Sequence, residues 1–364
     1  MPVLNRKISE SSELLGLFPY FGPEAIGGVQ SSARIAWQAV ENETRGAATA
    51  LGYAPGLHPD RRHSDRRIIL LRSRNEAIRK VVSRAWPHPK VLVWHLSLLK
   101  LLPFLRLSHP KITLMLLGIE AWKSHKGLTR KQLDRVDLFL SISNFTWSRF
   151  AAANPGQEFK VHRTVLLGTG TPLMTPAQQS DRPVALMLSR LLESEDYKGH
   201  REVIAAWPYV LRLVPEAELW IAGDGDLRPS LEKQVRKLHL HNQVKFWGVV
   251  SEKTKQELFR QSRCLLMPSR NEGFGLVYLE AMRHGRPCLV STFDAGREVV
   301  NPPEAGLAVD PDNRAEVVQA IVRLISDGTE WNLWSKQAQR RYDQNFTAAH
   351  FQRRLIAEVF AEDF

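Results

Sequence analysis

Cysteine is nearly absent from this 364-residue chain. The two present, Cys264 and Cys288, lie inside apolar runs, which excludes a disulfide framework and a thiolate metal cage. Both are expected to be small buried hydrophobes in a reducing compartment. No stretch of eighteen apolar residues occurs, so no membrane-spanning helix is expected. The start, Met1 to Lys7, has no apolar core of the signal-peptide kind, which predicts a cytoplasmic location. Internal repeats and low-complexity tracts are missing too. Acidic residues are scarce in one half only. Residues 1–180 carry 25 Lys and Arg against 12 Asp and Glu, a net of +13, whereas the remainder carries 25 against 26, a net of −1. Ten basic residues lie between positions 61 and 90, against Asp65 and Glu76. Such a face seeks a polyanion: nucleic acid, an anionic membrane surface or a phosphorylated substrate.

The length suits two domains of roughly 170 residues each. Both halves alternate apolar strand-like runs with helical stretches, the pattern of parallel α/β sheets. In the first half the strand candidates are 13–18, 68–71, 91–94, 112–116 and 138–141. In the second they are 183–188, 218–222, 244–247, 264–267 and 287–291, with helices near 199–213, 227–239, 252–261, 276–284 and 313–327. The stretch from Gly168 to Arg182, rich in Gly, Thr, Pro and Gln, reads as an interdomain linker. Trp331 to Phe364 reads as helical, with Thr347 as an N-cap.

The most informative segment runs from Ser269 to Met282: Ser-Arg-Asn-Glu-Gly-Phe-Gly-Leu-Val-Tyr-Leu-Glu-Ala-Met. An apolar run ends at Pro268, Gly273 and Gly275 permit close backbone approach, and a helix is expected from Leu276. The amides at such a helix start are unpaired donors and attract phosphate. Glu280 lies about one and a half turns in, where its carboxylate can hold a diol, and Glu272 sits before the turn.

This pair of glutamates eight positions apart, with Gly-Phe-Gly between and Leu-Glu-Ala-Met after, resembles the E-x7-E signature of retaining glycosyltransferases, glycosyltransferase family 4 in particular. The resemblance implies the GT-B fold: two Rossmann-like doubly wound domains facing a central cleft, with a C-terminal helix crossing back to the first. The implied domains are an acceptor-side domain over 1–172, a linker over 173–182, a nucleotide-sugar domain over 183–345 and the returning helix over 346–364. Ser189-Arg190-Leu191 and Tyr197-Lys198-Gly199 resemble the family's Gly-Arg-Leu and Lys-Gly elements, with Ser189 replacing glycine. Arg190 and Lys198 are then expected to grip the diphosphate and, with Glu272, to form the catalytic set. Glu280, Gly273, Phe274, Gly275, Leu276, Val277, Gly28 and Val249 are the implied donor contacts. In the first half Gly118-Ile119-Glu120-Ala121-Trp122 resembles a family segment, but Leu117 stands where a histidine is common. His95 is the candidate substitute, and His95 with Glu120 the candidate sugar or acceptor contacts. A satisfied strand-end histidine is the plainer reading of His95.

Ile221-Ala222-Gly223-Asp224-Gly225-Asp226 admits three readings: a dinucleotide loop, a two-aspartate metal motif, or a strand closure beside the nucleotide cleft. The third is preferred, and Asp310-Pro311-Asp312 is expected to be a turn. No metal or other cofactor is expected, because Arg190, Lys198 and the helix start supply positive charge. Leu98 to Leu107 is more apolar than one buried face requires. With the basic 61–90 region it suggests docking on an anionic membrane, against packing between sheet and neighbours. The expected activity is transfer of a hexose from a UDP- or GDP-linked sugar to a glycan or lipid-linked acceptor. The rivals are a sugar-nucleotide epimerase or hydrolase, and a non-catalytic nucleic-acid binder; no nucleic-acid partner is expected on the preferred reading.

Overall fold

A computed structural model describes residues 14–22, 25, 27–55, 57, 67–83, 85–86, 88–107, 109–174, 178 and 180–361. The dense part of the basic stretch from 61 to 66, and the start of the chain, lie outside these residues. The chain divides into two units: Met1–Leu166 with Phe351–Phe364, and Leu167–His350.

In unit 1, β1 (Leu14–Pro19), β2 (Thr49–Tyr53), β3 (Ile68–Leu71), β4 (Lys90–Val93), β5 (Lys111–Leu116), β6 (Leu138–Ser141) and β7 (Val161–Thr164) form one sheet. Their order is β3-β2-β1-β4-β5-β6-β7, and every pairing among the described residues is parallel. Helices α1 (Gly28–Glu43), α2 (Arg74–Val82), α3 (Gly127–Leu133) and α4 (Asn144–Ala153) connect them. Central strands are covered on both faces and so read as unbroken apolar runs, such as Val91-Leu92-Val93, all buried. Ser143 caps α4, its hydroxyl accepting from the Thr146 amide at 3.0 Å.

In unit 2, β8 (Val184–Leu188), β9 (Glu218–Ala222), β10 (Val244–Gly248), β11 (Cys264–Leu266), β12 (Cys288–Ser291) and β13 (Gly306–Val309) lie in the order β10-β9-β8-β11-β12-β13, again parallel. Between and after them run α5 (His200–Leu213), α6 (Arg228–Lys237), α7 (Glu252–Gln261), α8 (Leu276–Arg283), α9 (Gly296–Val300), α10 (Arg314–Ile325) and α11 (Thr329–Asn345). Cys264 and Cys288 are fully buried and unpaired. The C-terminal stretch is two helices, as the N-cap expected at Thr347 implies. It breaks at Phe346, and α12 (Ala348–Val359) follows Thr347, whose hydroxyl accepts from the His350 amide at 3.3 Å. Phe351 of α12 packs on Trp94 within unit 1, ring centroids 6.1 Å apart.

Both sheets therefore reverse strand order once, between β1 and β4 and between β8 and β11. Ligands of doubly wound sheets bind outside the carboxyl ends of the strands at such a reversal. Arg190 follows β8, and the segment from Ser269 to Gly275 follows β11.

Candidate active site

The loop after β11 is fixed from below. Tyr278, fully buried, donates its hydroxyl to the Met267 carbonyl at 2.9 Å. Gly275 sits at φ 83° as the N-cap of α8, and a Cβ there would collide with the Tyr278 ring. Only glycine satisfies both demands. The Phe274 side chain points into the core, 2% exposed and edge-on to Phe346. Gly273, Phe274 and Gly275 are buried, the Phe274 amide donating to Glu272 Oε1 at 3.5 Å, and the first amides of α8, Leu276 and Val277, face no preceding helical turn.

The second component is the loop after β8. Glu195, in the 3₁₀ segment Glu193–Lys198, is paired with both cations. It holds Arg190 in one ion pair and accepts from Lys198 Nζ at 2.6 Å. Lys198 is only 9% exposed, whereas Arg190 reaches into solvent. The two loops are joined where the Arg270 amide donates to the Tyr197 carbonyl at 3.0 Å. Burial pushes the Tyr197 phenol up, reinforced by the negative charges of Glu272 and Glu195. Burial also raises the Glu272 carboxyl, opposed by the nearby Lys198 ammonium. Glu272, Glu195, Arg190 and Lys198 thus share one patch at the strand reversal.

A third loop, after β12, holds Glu272 in place. Asp294 accepts from the Glu272 amide at 3.0 Å with one oxygen and from the Gly296 amide at 2.9 Å with the other. The Ala295 amide returns a bond to the Glu272 carbonyl at 3.1 Å. Asp294 is 3% exposed, and burial pushes its carboxyl up to about 7 although both amides favour the charged form. Glu280, on α8, meets Lys255 of α7 at 2.5 Å, and Lys255 also reaches Glu252 at 3.0 Å. Burial would lower the Lys255 ammonium, but the pull of Glu280 and Glu252 outweighs it and the group is raised.

The Gly-Asp-Gly-Asp turn closes β9. Side chains at Gly223 and Gly225 would strike the Ser189 and Leu191 carbonyls, so glycine lets this turn lie against the loop after β8. Asp224 pairs with Arg228 at 2.9 Å, and Asp226 accepts from the Glu193 amide at 2.7 Å. Each aspartate has a structural partner, as the strand-closing reading requires. Asp312 donates its amide to Asp310 at 2.8 Å and pairs with Arg270 at 2.6 Å, which makes that segment a pinned turn. Val249, after β10, is 81% exposed.

In unit 1, Gly28 opens α1 behind Gly27, which lies at φ 132°. His95 caps the 3₁₀ segment Leu96–Phe104, its Nδ1 accepting from the Ser97 amide at 3.2 Å. Glu120 folds back to accept from the Leu117 amide at 2.9 Å. Both candidate contacts are thus engaged with their own loops. Leu96, Leu98, Leu99 and Leu102 are buried in the unit 1 core, which favours packing over an exposed membrane stripe.

Sequence reasoning missed Glu195, Asp294, Lys255 and Tyr197. Asp294 and Lys255 reach the site from a separate loop and helix, so spacing within one motif does not single them out, and Tyr197 adjoins Lys198 in the quoted motif without a signal of its own. Glu195 was in view, five residues from Arg190, but nothing in the sequence told it from its acidic neighbours.

The fold is GT-B: two Rossmann-like domains with parallel sheets of seven and six strands among the described residues. Residues 182–327 match the family model described as Glycosyl transferases group 1. Sucrose-phosphate synthase from Thermosynechococcus elongatus superposes with a TM-score of 0.74, at 17% identity over 97% of this chain and 100% of that one. Anabaena HepE in complex with UDP and glucose gives 0.73, at 17% identity over 97% and 100%. An uncharacterized glycosyltransferase of Methanocaldococcus jannaschii is 34% identical over 149 residues, 41% of this chain and 37% of that protein. A GDP-mannose-dependent monoacylated α-(1-6)-phosphatidylinositol monomannoside mannosyltransferase of Corynebacterium glutamicum is 28% identical over 54% of this chain and 55% of that one. The matches thus span 37% and 55% of the lengths of these two curated relatives.

Proposed function

We propose that this chain is a retaining glycosyltransferase that moves a hexose from a UDP- or GDP-linked donor to a hydroxyl of a glycan or lipid-linked glycan. The observation that carries the reading is the convergence of Lys198, Arg190 and Glu272 on two adjoining loops beside the start of α8. A nearly buried ammonium is a strong anion site, because restricted water leaves the charge poorly screened. Lys198, Arg190 and the Gly275 to Val277 amides hold the diphosphate; Glu272 holds sugar hydroxyls, and Glu280 holds the ribose.

In the proposed step the bond between the anomeric carbon and the diphosphate oxygen breaks. The acceptor oxygen bonds that carbon on the same face, and its proton passes to the leaving phosphate. No protein nucleophile is required, and the cations of the site supply the positive field without a metal. The acceptor is assigned to unit 1, whose basic surface is suited to an anionic membrane on its cytoplasmic face. Both nucleobases are kept because one relative's name specifies GDP-mannose while a solved structure of similar fold contains UDP.

The test is incubation with UDP- and GDP-hexoses in EDTA, with and without lipid extract, reading the product anomer by NMR. An α-linked product that needs the extract is expected. Sugar release or epimerisation without acceptor would instead make the chain a hydrolase or epimerase, and loss of turnover in EDTA would contradict metal independence.

A further inference from the structure

The 3₁₀ segment Leu96–Phe104 has three residues per turn, so positions three apart share a face. One face is Leu96, Leu99 and Leu102, at 5%, 0% and 1% exposure, and it belongs to the core. A second is Leu98, Leu101 and Phe104, grading from 4% exposed at Leu98 to 37% at Phe104. This second face lines a groove of about 440 Å³ in unit 1, between the segment, α2 and Leu128 of α3. Tyr53 at the end of β2 and Ile78 on α2 complete its apolar wall. The core takes the first face and the Leu98 end of the second, and the second face opens into the groove at Leu101 and Phe104.

The groove's charge is one-sided. Arg74 and Lys100 line it, no carboxylate does among the described residues, and neither cation has an ion-pair partner among them. An apolar trough of this volume with two uncommitted cations matches one ligand chemistry, a single alkyl or isoprenyl chain ending in phosphate. A neutral sugar would leave the leucine wall unused, and a free phosphate would leave the trough empty.

We propose that this groove binds the chain and phosphate of a single-chain lipid phosphate, the apolar face of the 3₁₀ segment taking the chain and Arg74 and Lys100 the phosphate. The proposal rests on the glycosyltransferase reading only in making this lipid the anchor of the acceptor; the binding itself does not depend on the donor site.

The test is titration of the full chain with monomeric dodecyl phosphate and with dodecanol, alongside phosphatidylglycerol vesicles. Saturable one-to-one binding of dodecyl phosphate is expected, weakened about tenfold or more in the Arg74→Glu, Lys100→Glu double variant while dodecanol binding stays as it was. Leu101→Trp, which fills the groove, should weaken both ligands, with an unchanged far-UV spectrum checking that the variant folds. Absence of saturable monomer binding, or binding untouched by these variants, overturns the proposal. Binding to vesicles alone also overturns it, in favour of docking on a lipid surface. UDP and GDP titrations of the same variants separate the two sites. Loss of nucleotide binding in the unaltered chain would sink the donor assignment and leave the groove standing.

Discussion

The two sheets share one strand order and one point of reversal, yet their carboxyl ends carry opposite chemistry. In unit 2 the loops after β8, β11 and β12 bring ionised groups into contact: Lys198 with Glu195, Glu195 with Arg190, and Asp294 under the Glu272 amide. In unit 1 the corresponding loops spend their polar groups on themselves. His95 caps its own 3₁₀ segment, Glu120 caps its own turn, and beside them lies an apolar groove. The same topology thus supplies a position for a ligand, and side chains at strand ends decide which ligand. Net charge alone misleads: the excess of +13 lies in the first half, while the near-neutral half holds Lys198, an ammonium only 9% exposed and paired with Glu195.

The comparison breaks most visibly at Lys198. Lys198→Ala should lower kcat/KM for a nucleotide-sugar by about 10²- to 10³-fold, the scale for removing one preorganised charge contact, with the fold intact by circular dichroism. A loss of less than about threefold would mean that the unit 2 cluster is only an ion-pair network.

Asp294 gives the next largest effect, read as stability against pH. Its carboxyl is near 7 in the folded chain and near 3.8 unfolded. The native state therefore binds more protons between these values, and this group's stabilising contribution is present below about 4 and lost as pH rises through 7. Asp294→Asn should flatten that decline in denaturant titrations between pH 4 and 7. It should also cost roughly 1–3 kcal/mol, because an amide cannot accept from both the Glu272 and Gly296 N–H groups. An unchanged pH profile would contradict this picture of the loop.

Glu195 should give a smaller change of opposite sign. Its carboxylate stands where an incoming phosphate must compete for Arg190 and Lys198. Glu195→Gln should tighten UDP or GDP binding about threefold to tenfold by calorimetry, the range for one partly exposed ion pair. Weaker binding would show that Glu195 aims the cations rather than competing for them. The smallest effect belongs to unit 1. Ser143→Ala removes the cap of α4 and should cost about 1 kcal/mol in thermal unfolding. Donor binding should be unchanged; a shift in it would mean that the division of labour between the units is wrong.

Much of this was legible before any coordinates. The strongly apolar runs became strands, and the helix expected from Leu276 begins there. The missed strands are the ones with weak signals. Strand β2 carries Gly52, β7 is a four-residue edge strand whose residues alternate between exposed and half-buried, and β13 opens on Gly306. The break at Phe346 was legible in the N-cap expected at Thr347, although no glycine or proline marks it. At the site, the Gly275 turn was readable because its chemistry is local. Asp294, 22 positions beyond Glu272, and Lys255, 25 before Glu280, were not, because only the sheet brings them together.

The most direct measurement is the thermal unfolding midpoint of the intact chain and of Lys198→Ala, titrated with UDP and GDP in EDTA. The expected result is a rise in the unaltered chain with at least one of the two, approaching about 3 kcal/mol of added stability at a hundredfold excess over Kd, and little or none in the variant. No rise with either nucleotide, or an equal rise in both proteins, would contradict a diphosphate held by Lys198 beside the start of α8.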